Sequence, residues 1–245
     1  MTKLLNSLVG WSIVGLIAFA YIGQRNQDSI IRKIGQYFES DTQDVQEFIK
    51  NMREDKARRA EYLEKNKDKF SPETIAYFDE IAMGIEDGRK FDHVTRYTED
   101  VVIYMEGHQP QYIVDELNDI VSELNGIINS VEISVTEYKS DANMIVSIGS
   151  LEKVRREYPC FNAELFDHCN GGFTSLGNES NVFLNTNNIR TVEHAKHVLR
   201  EEVTQAMGLP NDSYKYPESI FYEGSSEVTE YAQIDRELID ILYNN

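Results

Sequence analysis

Residues 201–213 read EEVTQAMGLPNDS, and this stretch decides the fold of the chain. Thr191 can cap a helix that runs from just after it to about Met207. The apolar stripe of this helix follows a period of 3.6 residues and comprises Val192, Ala195, Val198, Leu199, Val203 and Ala206. Gly208 can end the helix, and Pro210 is tolerated just beyond such an end. The stretch therefore predicts a helix followed by a sharp turn.

Glu202 falls within the apolar stripe of this helix. Its neighbours one turn away are Val198, Leu199 and Ala206, so its carboxylate should be largely removed from water. A buried carboxylate must be paired, hydrogen-bonded or protonated. Two interpretations stay open for Glu202, namely a general base and a structural carboxylate that accepts hydrogen bonds.

The spacing of the stretch resembles the active-site helix of metzincin peptidases, which reads His-Glu-x-x-His-x-x-Gly-x-x-His. In that motif the three histidines bind zinc, the glutamate is the base, and the glycine turns the chain toward the third ligand. Here Glu202 holds the base position and Gly208 the turn, whereas Glu201, Gln205 and Asn211 hold the histidine positions. The resemblance therefore implies a zincin-like helix whose zinc ligands are replaced.

A second segment carries the same resemblance. Residues 219–222 read SIFY where metzincins carry a turn with methionine beneath the metal, which puts Phe221 in the methionine position. Residues 235–244 resemble the closing helix of matrix metallopeptidases. Residues 95–245 as a whole resemble the bacterial family of unknown function 2927, which is grouped with the zincins and in which these substitutions are usual. The resemblance implies an α+β zincin-like fold with a mixed sheet, and implies no established activity.

Three arrangements remain open at the predicted site, two that bind a metal ion and one that does not. Glu201, Gln205 and Asn211 supply oxygen donors that suit a hard divalent cation such as calcium, magnesium or manganese better than zinc. The same groups, with Asp212, can instead satisfy one another in a metal-free hydrogen-bond network, which is the interpretation we favour. His194, His197 and Glu201 share one helix face and offer a metal site one turn earlier.

The rest of residues 95–245 alternates short strands with helices. Strands are predicted at residues 101–105, 131–138, 144–148 and 182–184, and helices at 112–128 and 151–157. Residues 170–181 are rich in Gly, Asn and Ser and predict a loop. Residues 25–94 are charged and helical, with Ser71 and Pro72 opening one helix, and each helix has one apolar face. These helices could pack on the domain, on each other or on a partner.

The N-terminal 24 residues predict a membrane anchor or a signal peptide. Residues 4–22 carry no charge and are just long enough to span a bilayer. Ala18-Phe19-Ala20 offers a cleavage pattern, which would give a secreted protein. The basic residues that follow favour a cytoplasmic C-terminus. Cys160 and Cys169, the only two cysteines, instead favour an oxidising compartment and a disulfide bond, although reduced thiols or a metal site with His168 are alternatives. We expect a single-pass membrane protein with an extracytoplasmic, periplasmic domain.

The net charge of the chain limits the classes of function that it can have. The net charge of −18 on 245 residues argues against nucleic-acid binding, because phosphate contacts need clustered Lys and Arg. We expect three regions, namely 1–24, 25–94 and the zincin-like domain 95–245. The preferred function is a non-catalytic pseudopeptidase without cofactor that binds a peptide or protein segment by strand addition. The alternatives are a hydrolase that uses Glu202 with an unusual divalent metal, and an assembly subunit that acts through the helical region.

Overall fold

The computed structural model describes residues 42–84, 94–107, 109–150, 152–153 and 169–245. The described helices are α1 Thr42–Lys65, α2 Pro72–Met83, α3 Gln111–Ile127, α4 Val192–Ala206 and α5 Gln233–Tyr243. The described strands are β1 Val101–Glu106, β2 Ile133–Thr136, β3 Met144–Gly149, β4 Gly171–Leu176 and β5 Glu179–Asn185, with a 3-10 turn at Lys139–Asp141.

The five strands form one mixed sheet in the order β2-β1-β3-β5-β4. β2, β1, β3 and β5 run parallel, and β4 runs antiparallel to β5 at the edge. Buried aliphatic side chains of the central strands, among them Ile103, Val146 and Val182, form the core with the helices. The predicted combination of a mixed sheet with helices is confirmed.

Local signals explain several element boundaries. Ser71 Oγ accepts the Thr74 amide at 3.0 Å and Pro72 opens α2, as the sequence predicts. Thr191 Oγ1 accepts the His194 amide at 3.0 Å and begins α4. Helix α3, predicted at residues 112–128, buries Ile113, Leu117, Ile120 and Leu124 along one face, at the spacing of an amphipathic helix.

The loop predicted at residues 170–181 is wrong. Residues 171–176 form strand β4, and β5 begins at Glu179 rather than Val182. A two-residue turn joins these strands, and Gly177 supplies its left-handed backbone with φ of 63°. Glycine, asparagine and serine have weak intrinsic strand preference, so β4 depends on its pairing with β5, which local composition does not reveal.

Helix α2 packs into the same core as the sheet. Tyr77, Phe78, Ile81 and Ala82 are buried, and Thr74 Oγ1 donates to Glu237 on α5 at 2.9 Å. The C-terminal end of α1 packs nearby, where the Tyr62 hydroxyl donates to Asp240 at 2.9 Å. The apolar face of α2 is therefore satisfied within the chain, and the core begins ahead of residue 95.

Two predictions of the N-terminal and cysteine analysis fall outside the described residues. No helix within the described ranges is long and apolar enough to span a membrane, and residues 4–22 are not among them. No disulfide is present in the described part of the chain, where Cys169 lies but Cys160 does not. The Cys160–Cys169 bond stays a prediction, as does the helix at 151–157, of which only residues 152–153 are described.

Candidate functional site

Helix α4 places Glu202 against the first residue of the edge strand. Glu202 is only 8% exposed, and the buried residues Val198 and Leu199 lie one turn before it. A Cβ added to Gly171 of β4 would lie 2.7 Å from Glu202 Oε1 and 2.7 Å from a Val198 methyl group. Only glycine leaves room for this contact. The burial that the apolar stripe predicts is confirmed, and the chemical role of Glu202 stays a prediction.

The residues in the three ligand-equivalent positions make separate contacts. Glu201 faces His197, with 3.7 Å between its Oε2 and His197 Nε2. Gln205 is buried and its Nε2 donates to Asp212 Oδ1 at 2.7 Å. Asn211 turns toward the C-terminal end of α2. Of the predicted network, the Gln205–Asp212 hydrogen bond forms, and Asn211 Nδ2 donates both to the Asp212 carbonyl at 3.0 Å and to the Glu80 carbonyl of α2 at 3.1 Å.

The two histidines of α4 have different environments. His197 Nδ1 donates to the Val228 carbonyl at 2.8 Å, because that carbonyl can only accept, and burial lowers the pKa of His197. His194 Nδ1 instead accepts the Arg190 amide at 3.4 Å in the first turn of the helix. Burial also lowers the pKa of His194. Across the described ranges, no three His, Cys, Asp or Glu side chains are grouped to hold a metal ion, so the set His194, His197 and Glu201 is not assembled as ligands.

The turn at residues 219–221 is completely buried and is tied to α5 through Asp235. Ser219 Oγ and the Ile220 and Ala232 amides all donate to the Asp235 carboxylate. Burial nevertheless raises the pKa of Asp235 to about 6. Phe221 is 0% exposed within the hydrophobic core. Its correspondence to the metzincin methionine stays a prediction.

Gly208 and Tyr243 hold the C-terminal end of α4. Gly208 has φ of 120°, and a Cβ there would lie 1.9 Å from the Thr95 carbonyl oxygen. The Tyr243 hydroxyl donates to the Met207 carbonyl at 2.7 Å and accepts the Tyr97 amide at 3.3 Å. The chain therefore turns at the glycine that the sequence predicts, and the closing helix α5 supports that turn directly.

A buried ionic cluster on the opposite side of α4 was not predicted from the sequence. Arg200, 1% exposed, donates to Glu116 of α3 at 2.7 and 3.0 Å and to Glu123 at 2.8 Å. Its guanidinium lies 4.6 Å from the centre of the Tyr231 ring. Glu116 and Glu123 are seven residues apart, and Glu116 adjoins the apolar stripe of α3. The position of Glu116 beside the apolar stripe of α3 was the available signal in the sequence. Nothing in the sequence identified Arg200 as its partner.

The fold and site together define a mixed α/β domain in which a glycine-ended helix packs against the edge strand. The chain belongs to the family described as protein of unknown function DUF2927, whose model matches residues 72–245. That match begins at Pro72, the first residue of α2, and so includes the helix that packs into the core.

Two solved structures of myroilysin are weakly similar to this chain. One is 10% identical, covers 59% of this chain and 92% of that chain, and has a TM-score of 0.39. The other is also 10% identical, covers 60% and 84%, and has a TM-score of 0.41. No curated protein matches the chain.

Proposed function

We propose that this zincin-like domain is a non-catalytic pseudopeptidase that binds an extended peptide or protein segment at the outer edge of β4. The observation that carries this proposal is the pairing of β4. The amide of Asn185 donates to the carbonyl of Asn170 at 2.7 Å, and the register places Gly171 opposite Leu184. Because hydrogen-bonding direction alternates along an antiparallel strand, Gly171, Phe173 and Ser175 direct their backbone N–H and C=O groups away from β5.

An unpaired strand edge is a template for another strand. β4 is the last strand on its side of the described sheet, so an added segment can pair with its outward groups. Gly171 lies directly over Glu202 but is itself buried, whereas Phe173 is half-buried and Ser175 is exposed, so a bound segment would pair with the edge from Phe173 to Ser175. Main-chain pairing of this kind needs no metal. It therefore survives replacement of the zinc ligands.

The contacts of the ligand-equivalent residues support a binding role over a catalytic one. Gln205 is hydrogen-bonded to Asp212, and Asn211 is hydrogen-bonded to α2. Neutral amides are weak metal ligands, and each of these would have to give up a hydrogen bond to coordinate a cation. A hydrolase of this architecture would need that cation to activate water.

The test uses an array of unstructured ten-residue peptides that vary in charge, probed with the full chain. Phe173→Pro removes one outward N–H, and proline is tolerated on edge strands. Phe173→Val is the matched control, because it also loses the ring but keeps the N–H. We expect the wild type and Phe173→Val to bind a common subset of peptides, and Phe173→Pro to lose that binding.

Two outcomes would contradict the proposal. Equal binding by the two Phe173 variants would exclude the edge of β4 as the peptide-binding site. The same conclusion would follow if the wild type bound no more peptide than an unrelated acidic protein. Cleavage of array peptides, detected by mass spectrometry and abolished by Glu202→Gln, would install a metal-dependent hydrolase instead.

We also propose that residues 4–22 anchor the chain in a membrane with the domain outside the cytoplasm. The uncharged length of this segment and the two cysteines support that arrangement. Protease added to intact cells should digest the domain while a cytoplasmic marker survives. Protection of the domain until the cells are lysed would reverse the orientation.

A further inference from the structure

The loop after α4 is fastened to the C-terminal end of α2 by Asn211. The Asn211 amide donates to the Ile81 carbonyl at 3.2 Å, and its Nδ2 donates to the Glu80 carbonyl at 3.1 Å. The last carbonyls of a helix lack partners within the helix. Asn211 thus caps α2 from a position 131 residues away in sequence.

Gly84 makes this contact possible. A Cβ at Gly84 would lie 2.7 Å from Asn211 Nδ2 and 2.3 Å from the Glu80 carbonyl oxygen. Both distances are shorter than a carbon atom allows. Any larger residue at this position would therefore wedge Asn211 away from the end of α2.

Helix α2 also holds the buried turn at residues 219–221. Ser219 Oγ gives its hydrogen to Asp235, so the Tyr77 hydroxyl must donate in the 3.2 Å contact between Tyr77 and Ser219. The Phe221 amide donates to the same Ser219 Oγ at 3.1 Å. The ring of Tyr77 meets Tyr216 edge-on, with 4.8 Å between ring centres.

The two fastened segments are also joined to each other. The Ser213 amide donates to the Phe221 carbonyl at 2.9 Å, and the Glu223 amide donates to the Ser213 carbonyl at 3.1 Å. Helix α2 therefore contacts both ends of a connected unit, residues 209–223. This unit contains Asp212, the partner of Gln205. The amides of Asn211, Ser213 and Glu223 lie outside the strands of the sheet, so they can open locally while the sheet and the buried Phe221 stay in place.

We propose that α2 is a clamp that sets the conformation of residues 209–223, with Asn211 and Tyr77 as its positioning residues. Docked α2 holds the Asn211 side chain between the Glu80 and Asp212 carbonyls. Release of Asn211 from α2 opens the backbone of the 209–223 unit locally. The clamp goes beyond peptide binding at β4 and does not depend on it.

Hydrogen exchange of individual amides in the full chain tests the clamp. The reporters are the amides of Asn211, Ser213 and Glu223, and the amides of β3 and β5 are the reference. Asn211→Ala removes the side-chain cap, and Gly84→Ala removes no donor or acceptor but forces Asn211 Nδ2 and the Glu80 carbonyl to shift. In both variants we expect the reporters to exchange roughly 5- to 30-fold faster, as loss of one or two buried hydrogen bonds implies, with the reference amides unchanged.

Asn125→Ala is the matched control. Asn125 Nδ2 donates to the Ile133 carbonyl at 2.7 Å and Asn125 Oδ1 accepts the Ile133 amide at 2.9 Å, so this variant loses two side-chain bonds, as Asn211→Ala does. It should leave the reporters unchanged. Unchanged reporters in Asn211→Ala, or equal acceleration of reporters and reference, would overturn the clamp. Failure of both clamp variants to fold would also overturn it, because the contact would then belong to the global core.

Discussion

Phe221→Ala tests the packing of the buried turn at residues 219–221. Phe221 is fully buried, and loss of a buried phenylalanine side chain costs about 3 to 5 kcal/mol, because the lost burial is compounded by the cavity left behind. The backbone at this residue is held on both sides, with its amide 3.1 Å from Ser219 Oγ and its carbonyl 2.9 Å from the Ser213 amide. The turn therefore cannot collapse into the cavity, and we expect the upper half of that range.

Urea denaturation followed by tyrosine fluorescence and circular dichroism gives the free energy of unfolding, because the single tryptophan, Trp11, lies outside the domain. Phe221→Met refills most of the space with a flexible apolar side chain and should cost less than about 1.5 kcal/mol. Tyr214→Ala is the surface control, since Tyr214 is 71% exposed, and should stay within about 0.5 kcal/mol of the wild type. A loss below about 1 kcal/mol for Phe221→Ala would refute the packing of this turn.

Three further predictions concern the supports of the site. Tyr243→Phe should lower the free energy of unfolding by about 1 to 3 kcal/mol, because it leaves the buried Met207 carbonyl and Tyr97 amide without a partner, whereas the same change at Tyr138, 68% exposed, should have little effect. Burial raises the pKa of Asp235 from 3.8 to about 6. Protonation of Asp235 therefore stabilises the folded state by at most about 3 kcal/mol. This contribution is fully present below about pH 4 and is lost as the pH rises through 6. The difference in stability between wild type and Asp235→Asn should therefore change over that interval, and a constant difference would contradict the shift. Elemental analysis of protein purified without chelator should find no stoichiometric zinc. The triple variant Glu201→His, Gln205→His, Asn211→His should gain zinc without substantial peptidase activity, since a zinc peptidase also needs groups that orient the imidazoles and the three substitutions add none. Stoichiometric zinc in the unmodified protein would contradict this.

The sequence predicted the elements that local patterns define. The capped helix from Thr191, the turn at Gly208 and the buried position of Glu202 all follow from hydrophobic period and backbone chemistry. Strand β1 and helix α3 were also found within a residue or two of their observed bounds. Each of these features depends on residues close in sequence.

The features that the sequence did not reveal depend on distant pairing. Strand β4 exists through β5, and Asn211 finds its partners on α2, which precedes it by more than a hundred residues. The spacing of the stretch at 201–213 predicts that Asn211 lies near α4. Spacing does not show whether the Asn211 side chain bonds to α4 or to the carbonyls at the end of α2. The competition is decided by the docking of α2 and by the absence of a side chain at Gly84.

The buried pair of Arg200 and Glu116 constrains how related chains can diverge. Arg200 also pairs with Glu123 at 2.8 Å, and Glu116 also pairs with Lys196 at 3.3 Å, so removal of either Arg200 or Glu116 leaves a buried charge that is partly compensated. The cost is therefore at most the roughly 3 to 5 kcal/mol of an uncompensated buried charge, against the roughly 5 to 15 kcal/mol that stabilises a typical domain. Replacement of both by apolar side chains of similar volume is often neutral. Divergence at these two positions is therefore expected to favour paired substitutions, since either single step lowers the stability of the fold. In a family alignment, position 116 should be acidic wherever position 200 is arginine, and both should become apolar together.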